Sequence, residues 1–236
     1  MRTLAFVLPL LLSVPVLTQS AEKRVIVTIT AAELKGGVIS EIAWDRGTIV
    51  LQGVFVNPDG TLAAQYFVTP ADQVRLEQRT EHTMESAQYW ESKARTLSPT
   101  GIGRITTTTD TKLPMYGIAS QAQRMSDAVD MGGTQKLHVV RLNKLTLYER
   151  TSDAVPYAGE VWSWSPAELN RITYVDKGGD LWVAGADGSR PQRLLKGNFT
   201  LPAWSDDGRL IAVAEQKNGG KNWQISIVHV PVQHRQ

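Results

Sequence analysis

The sequence predicts an all-β protein: a small or incomplete β-propeller of about 4 to 5 four-stranded antiparallel blades, with one helical insertion. Three observations predict it. Residues 161–230 carry one pattern twice, VWSWSPAELNRITYVDKGGDLWVAGADG and then LPAWSDDGRLIAVAEQKNGGKNWQISIVHV. Trp164-Ser165-Pro166 answers Trp204-Ser205-Asp206 at a separation of 40 residues. Each copy then runs through a polar turn, an apolar stretch (172–175, 211–214), a Gly-Gly turn (Gly178-Gly179, Gly219-Gly220) and a second apolar stretch (181–184, 225–230). A repeat of about 40 residues built from short strands is the mark of a propeller blade.

The rest of the chain divides around that pair. Residues 1–21 read as a secretory signal: Arg2 is the basic start, residues 4–17 are apolar and broken by Pro9 and Pro15, and Thr18-Gln19-Ser20-Ala21 offers small residues for cleavage. A retained membrane anchor is the alternative, on a segment short for the ~20 residues of a span. Residues 22–155 are a divergent β-rich portion, and residues 156–236 hold the two clear repeats. Within the divergent portion, Lys23–Thr30 alternates β-branched residues as a strand does. It is placed to complete the last blade and lock the ring.

Residues 38–44 alternate again, and Trp44-Asp45-Arg46-Gly47 resembles a shortened blade signature. Strands over 48–56 and 61–69 flank Asn57-Pro58-Asp59-Gly60, a strong hairpin signal. Residues 70–95 break the rhythm, because charges rise and glycine vanishes; a helix over 81–94 is expected there. Leu97-Ser98-Pro99-Thr100-Gly101 echoes Trp-Ser-Pro-Asp-Gly weakly. A Thr-rich strand (104–109), a weaker one (115–120), a loop (121–133) and two strands (136–142, 144–150) around Asn143 follow. Residues 231–236 are polar and expected to fray.

Composition excludes several functions. Of 236 residues, 42% are apolar, an ordinary globular content. The formal charge is +2, from 25 basic and 23 acidic residues, so nothing marks a nucleic-acid or polybasic membrane partner. With no cysteine there is no disulfide, thiolate metal site or cysteine nucleophile. An exported chain without cysteine fits a bacterial periplasm, or secretion, better than a disulfide-stapled domain.

No catalytic, metal or cofactor site is legible. His82, His138, His229 and His234 form no metal-binding spacing. Ser98, Ser165 and Ser205 sit in turns, outside the strand-turn-helix setting of a nucleophile elbow. Asp206-Asp207 reads as a turn pair bonded to backbone N–H groups, with a calcium or acid/base role as the alternative. Of the seven tryptophans, Trp44, Trp164 and Trp204 fall in the packing slot between blades. Trp90, Trp162, Trp182 and Trp223 are less constrained and are the candidate binding residues.

Pro202-Ala203-Trp204-Ser205-Asp206-Asp207-Gly208-Arg209-Leu210-Ile211-Ala212-Val213 resembles the repeat of TolB-type, WD-repeat-like propellers, near Pro-x-Trp-Ser-Pro-Asp-Gly-x-x-Ile-Ala-Phe, with Asp206 in place of the proline. Residues 162–175 resemble it less closely, having lost the Asp-Gly. The resemblance covers about 80 residues, with fainter echoes at 38–56 and 97–109. It implies a non-catalytic exported propeller that docks a protein or a cell-envelope component through one face or the central channel. A propeller hydrolase or lyase acting on sugars or peptides is the competing expectation. An open stack of two or three blades, closed as a homodimer, is the competing architecture.

Overall fold

Lys23–Thr30 (β1) does not pair with the strand that follows it. It joins the last strand of the chain, Asn222–His229 (β15), antiparallel from Lys23↔Val228 to Thr30↔Asn222, with a bulge between Val25 and Val27. This long-range ladder organises the computed structural model, which describes residues 21–79, 97–114, 134–152, 161–220 and 222–230. The strands form four small antiparallel sheets arranged as a four-blade β-propeller.

The first blade is β2 (Val38–Asp45), β3 (Thr48–Val56), β4 (Leu62–Pro70) and β5 (Glu77–Arg79), in that order. The Asn57–Gly60 hairpin closes β3 onto β4: Asn57 N donates to Thr61 O at 2.8 Å, and Gly60 takes φ 84°. The second sheet is β6 (Ile105–Pro114), β7 (Thr134–Leu142) and β8 (Leu145–Ser152), with Asn143 at φ 50° in the tight turn. The third is β9 (Trp162–Trp164), β10 (Arg171–Val175), β11 (Leu181–Gly185) and β12 (Gln192–Leu195). The fourth is β13 (Phe199–Trp204), β14 (Leu210–Lys217), β15 and β1. The strands after the Trp-Ser turns, β10 and β14, are buried on both faces, as their unbroken apolar runs require.

The tryptophans explain the joints between blades. Trp44 sits opposite Ile49, Trp164 opposite Ile172 and Trp204 opposite Ile211, so all three hold one register position at the end of an inner strand. Each is buried and packs toward the preceding blade. Trp44 lies among Ile26, Ile29, Ala203, Ala212 and Ala214 of the last blade, and its Nε1 donates to Ala203 O at 2.8 Å. Trp164 lies with Val140, Leu142 and Leu147 of the second blade, and Trp204 with Val175, Leu181 and Val183 of the third. A large flat ring against small residues fills a gap that splays open between twisted sheets.

Leu97 holds the same position for the second blade, bridged to Arg104. Trp44 is thus in register with the later repeats, but the 40-residue interval is not constant along the chain. The expected helix at 81–94, the weaker strand and loop at 115–133, and residues 1–20 lie outside the described residues.

One joint and one strand edge make specific demands. Gly103 of the second blade abuts Ala186 of the third so closely that an added β-carbon would stand 1.8 Å from the Ala186 carbonyl oxygen. The outer strand β1 is held by Glu215 on β14, whose carboxylate meets Lys23 Nζ at 3.1 Å and Lys217 Nζ at 2.6 Å. Burial pushes the Glu215 carboxyl up. Hydrogen bonds from Lys217 and Lys23, with their charges, outweigh burial and hold it below its ordinary value.

Two predictions follow from these contacts. Gly103→Ala should destabilise the protein by about 3 kcal/mol in urea unfolding, because backbone cannot yield as a side chain does. Gly101→Ala, which faces open space at φ 74°, should cost only about 1 kcal/mol. Because the folded Glu215 carboxyl is depressed, its contribution is present above the unfolded value near 4.5 and disappears as pH falls through the folded value. Glu215→Gln should therefore lose about 1 kcal/mol at neutral pH, and its deficit should close on acidification below pH 4.5 in pH-resolved urea unfolding.

Candidate docking face

The turn that leaves each inner strand is built the same way in three blades. Ser205 N donates to Leu210 O and Ser205 Oγ accepts from Leu210 N, both at 2.9 Å. Ser165 pairs with Arg171 by the same two bonds, at 3.0 and 2.9 Å. Ser98 pairs with Gly103, at 2.9 and 3.0 Å. Each serine is buried, and its hydroxyl oxygen stands in for a strand partner at the mouth of the turn. The first blade uses a shorter turn, Asp45 to Thr48, with Arg46 at φ 47° and Gly47 at φ 80°.

These turns share one face and touch in sequence around it. Thr100 Oγ1 donates to Asn170 Oδ1 at 2.6 Å, joining the second blade to the third. Leu169 of the third blade rests on Gly208 of the fourth, with its Cδ1 2.1 Å from where a β-carbon there would stand. Asp206 of the fourth accepts from Arg46 N of the first at 2.8 Å. The segment after β4 joins the same face, since Ala71 N donates to Gly47 O and Arg24 Nη2 donates to Ala71 O.

The Asp206-Asp207 pair is divided between two tasks. Asp206 spans a blade joint. Asp207 Oδ1 accepts from Ser205 Oγ at 2.7 Å and from Arg209 N at 3.0 Å. The Ser205 hydroxyl first, then the Arg209 amide, hold the Asp207 carboxyl below its ordinary value. Both carboxylates thus accept from backbone N–H groups, Asp207 within its own turn and Asp206 across the joint to the first blade. Among the described residues no group of three or more His, Asp or Glu is placed to hold a metal ion, and no helix is long and apolar enough to cross a membrane.

Of the described candidate tryptophans, Trp162 and Trp182 flank Tyr174 in the third blade, whereas Trp223 lies in a different joint. Trp162 is 3% exposed on inner strand β9, packed in the joint between the second and third blades. Trp223 is 4% exposed, in the joint between the fourth and first. Both Nε1 atoms are buried without a partner, so neither ring offers a surface. Trp182 is half-buried on β11; it stacks on Tyr174 at 6.3 Å between centroids and donates to Asp176 Oδ2 at 2.9 Å. Trp90 lies outside the described residues.

Exposed apolar residues point elsewhere. Six large apolar side chains are exposed among the described residues: Val25, Leu62, Val74, Leu97, Ile102 and Leu169. Val74, Leu97, Ile102 and Leu169 lie in or beside the turns of the face just described. Leu62 lies at the opposite end, beside the Asn57–Gly60 hairpin, and Val25 lies on the outer strand β1. Sequence reasoning passed these residues over in favour of tryptophan. Their signal was an isolated Leu or Ile inside a polar turn, as in Pro166-Ala167-Glu168-Leu169-Asn170. No protein-family model matches the chain, and no curated protein matches it.

If the three serine turns are equivalent, Ser98→Ala, Ser165→Ala and Ser205→Ala should each cost about 1–2 kcal/mol, because each strands a backbone N–H. Urea unfolding of the three variants checks this; one that loses nothing breaks the equivalence for its blade.

Proposed function

We propose that this protein is an exported, non-catalytic propeller of the TolB-like, WD-repeat-like type, which docks a protein or cell-envelope component on the face carrying its serine turns. The observation that carries the reading is the gathering of Val74, Leu97, Ile102 and Leu169 on that one face. Exposed apolar side chains that cluster on one surface, rimmed by polar turns, mark interaction sites; scattered ones do not. The Trp-Ser turn repeat supports the family likeness. The residues at 1–21 support export to the periplasm or secretion, and their sequence carries that part alone.

A photo-crosslinking amino acid placed in turn at Ile102, Leu169 and Leu62, in the native host, tests the reading. A shared protein adduct from Ile102 and Leu169, absent from Leu62, is expected. Equal labelling from all three sites would remove the docking face. So would turnover of a sugar or peptide library that vanishes when one carboxylate is changed, since that would make the protein an enzyme.

A further inference from the structure

Of the six asparagines in the chain, Asn218 alone is followed by glycine. It stands in the turn that joins β14 to β15, just beyond the last rung of that ladder, Lys217↔Asn222. Its side chain is exposed and makes no hydrogen bond or ion pair among the described residues. Asn218 takes φ 52° and Gly219 φ 66°, and nothing stands within 4 Å of where a Gly219 β-carbon would be. With no side chain on Gly219, its main-chain nitrogen and the Asn218 carboxamide can approach each other unhindered.

Three Asp-Gly pairs make an internal comparison: Asp59-Gly60, Asp187-Gly188 and Asp207-Gly208. In each, the glycine N–H already donates to a main-chain carbonyl, Gly60 to Asn57, Gly188 to Gly185 and Gly208 to Ser205, all at 2.9 Å. In each, the aspartate Oδ1 accepts from the amide two residues on, that of Thr61, Ser189 or Arg209. Hydrogen bonds from the Thr61, Ser189 and Ser205 hydroxyls, and then from those amides, hold the three carboxyls below their ordinary value. They stay ionised, and a carboxylate resists a nucleophile that a neutral carboxamide admits.

We propose that Asn218-Gly219 is a site of spontaneous deamidation, which converts Asn218 to aspartate and isoaspartate while the three Asp-Gly turns stay intact. The Gly219 nitrogen gives its proton to solvent base and attacks Asn218 Cγ. A new C–N bond forms, the Cγ–Nδ2 bond breaks, and Nδ2 leaves as ammonia after taking a proton from solvent. The cyclic imide then takes up water. Opening at the side-chain carbonyl yields aspartate; opening at the main-chain carbonyl routes the backbone through Cγ and yields isoaspartate. Nothing is oxidised or reduced: water enters and ammonia leaves.

The position gives the change a consequence. The turn closes β14 onto β15, β15 carries the outer strand β1, and Lys217, beside Asn218, meets Glu215 at 2.6 Å. A new carboxylate next to Lys217 competes with Glu215 for that cation. Isoaspartate adds a methylene to the main chain of the turn. Conversion therefore loosens the end of the seam at the Thr30↔Asn222 rung as the molecule ages.

The whole mature chain, incubated at neutral and mildly alkaline pH and then mapped by electron-transfer fragmentation, tests this, because the method separates isoaspartate from aspartate. Conversion should appear first at Asn218, quicken with pH because the attacking nitrogen must lose a proton, and stay absent at Asp59, Asp187 and Asp207. Gly219→Ala should slow it. A synthetic peptide of residues 214–222, incubated alongside, gives the rate without the fold. In hydrogen exchange, aged wild type and fresh Asn218→Asp should lose protection at the Thr30 and Asn222 amides, and aged Asn218→Gln should keep it. An Asn218 still intact when the peptide has converted overturns the proposal. So does earlier conversion of another asparagine, or isoaspartate arising as fast at any Asp-Gly turn. Unchanged exchange in converted protein overturns the loosening of the seam.

Discussion

The β1–β15 ladder is the interaction on which the rest of the molecule depends. The first and last of the described strands meet in one sheet, so the last blade is complete only when β1 has docked. Ile26 and Ile29 on β1 then enter the apolar joint that Trp44 fills from the first blade. One long-range pairing thus fixes the outer edge of one blade and the packing of the next. Such a contact closes a very long loop, and its entropic cost is repaid only by the cooperative burial that follows. The Lys23–Glu215–Lys217 cluster anchors the start of that strand, which explains a charged group placed where the sheet is otherwise apolar.

Within this frame, blade joints follow a consistent rule with local exceptions. A tryptophan at the end of an inner strand packs into the preceding blade, and a serine bridges the turn beyond it. The second blade keeps the serine but puts Leu97 where the others put tryptophan, and it gains closeness to the third through Gly103 and Ala186 instead. The first blade keeps the tryptophan but drops the serine turn for a tight two-residue reversal. The third and fourth blades keep both devices, and the first and second keep one each.

The exposed face that carries the serine turns is a by-product of that rule. Turns that must touch their neighbours around the ring leave short, exposed segments whose side chains have no structural task. Leu169 is the exception that shows the tension: it covers Gly208 while remaining 41% exposed, so it serves the joint and the surface together. Carboxylates in these turns accept from backbone N–H groups and so fix the turns while remaining exposed.

Local chemistry was readable from the sequence alone. The alternating strands, the Asn57–Gly60 hairpin and the turn bonds of Asp207 depend on residues close along the chain, and the repeat itself marked Trp44, Trp164 and Trp204 for packing, although their partners, like the Arg46 partner of Asp206, lie in another blade. Even the locking role of Lys23–Thr30 could be read, because a lone strand ahead of the first blade has one open sheet edge to join. Only the tertiary structure decided which unconstrained aromatic rings were buried. Trp162 and Trp223 look alike to Trp182 in sequence, yet they face blade joints, and facing depends on register set by distant strands. The gathering of Leu97, Ile102 and Leu169 on one face is likewise invisible in one dimension. Their proximity is created by the rotation from blade to blade, and no stretch of the chain encodes that rotation by itself.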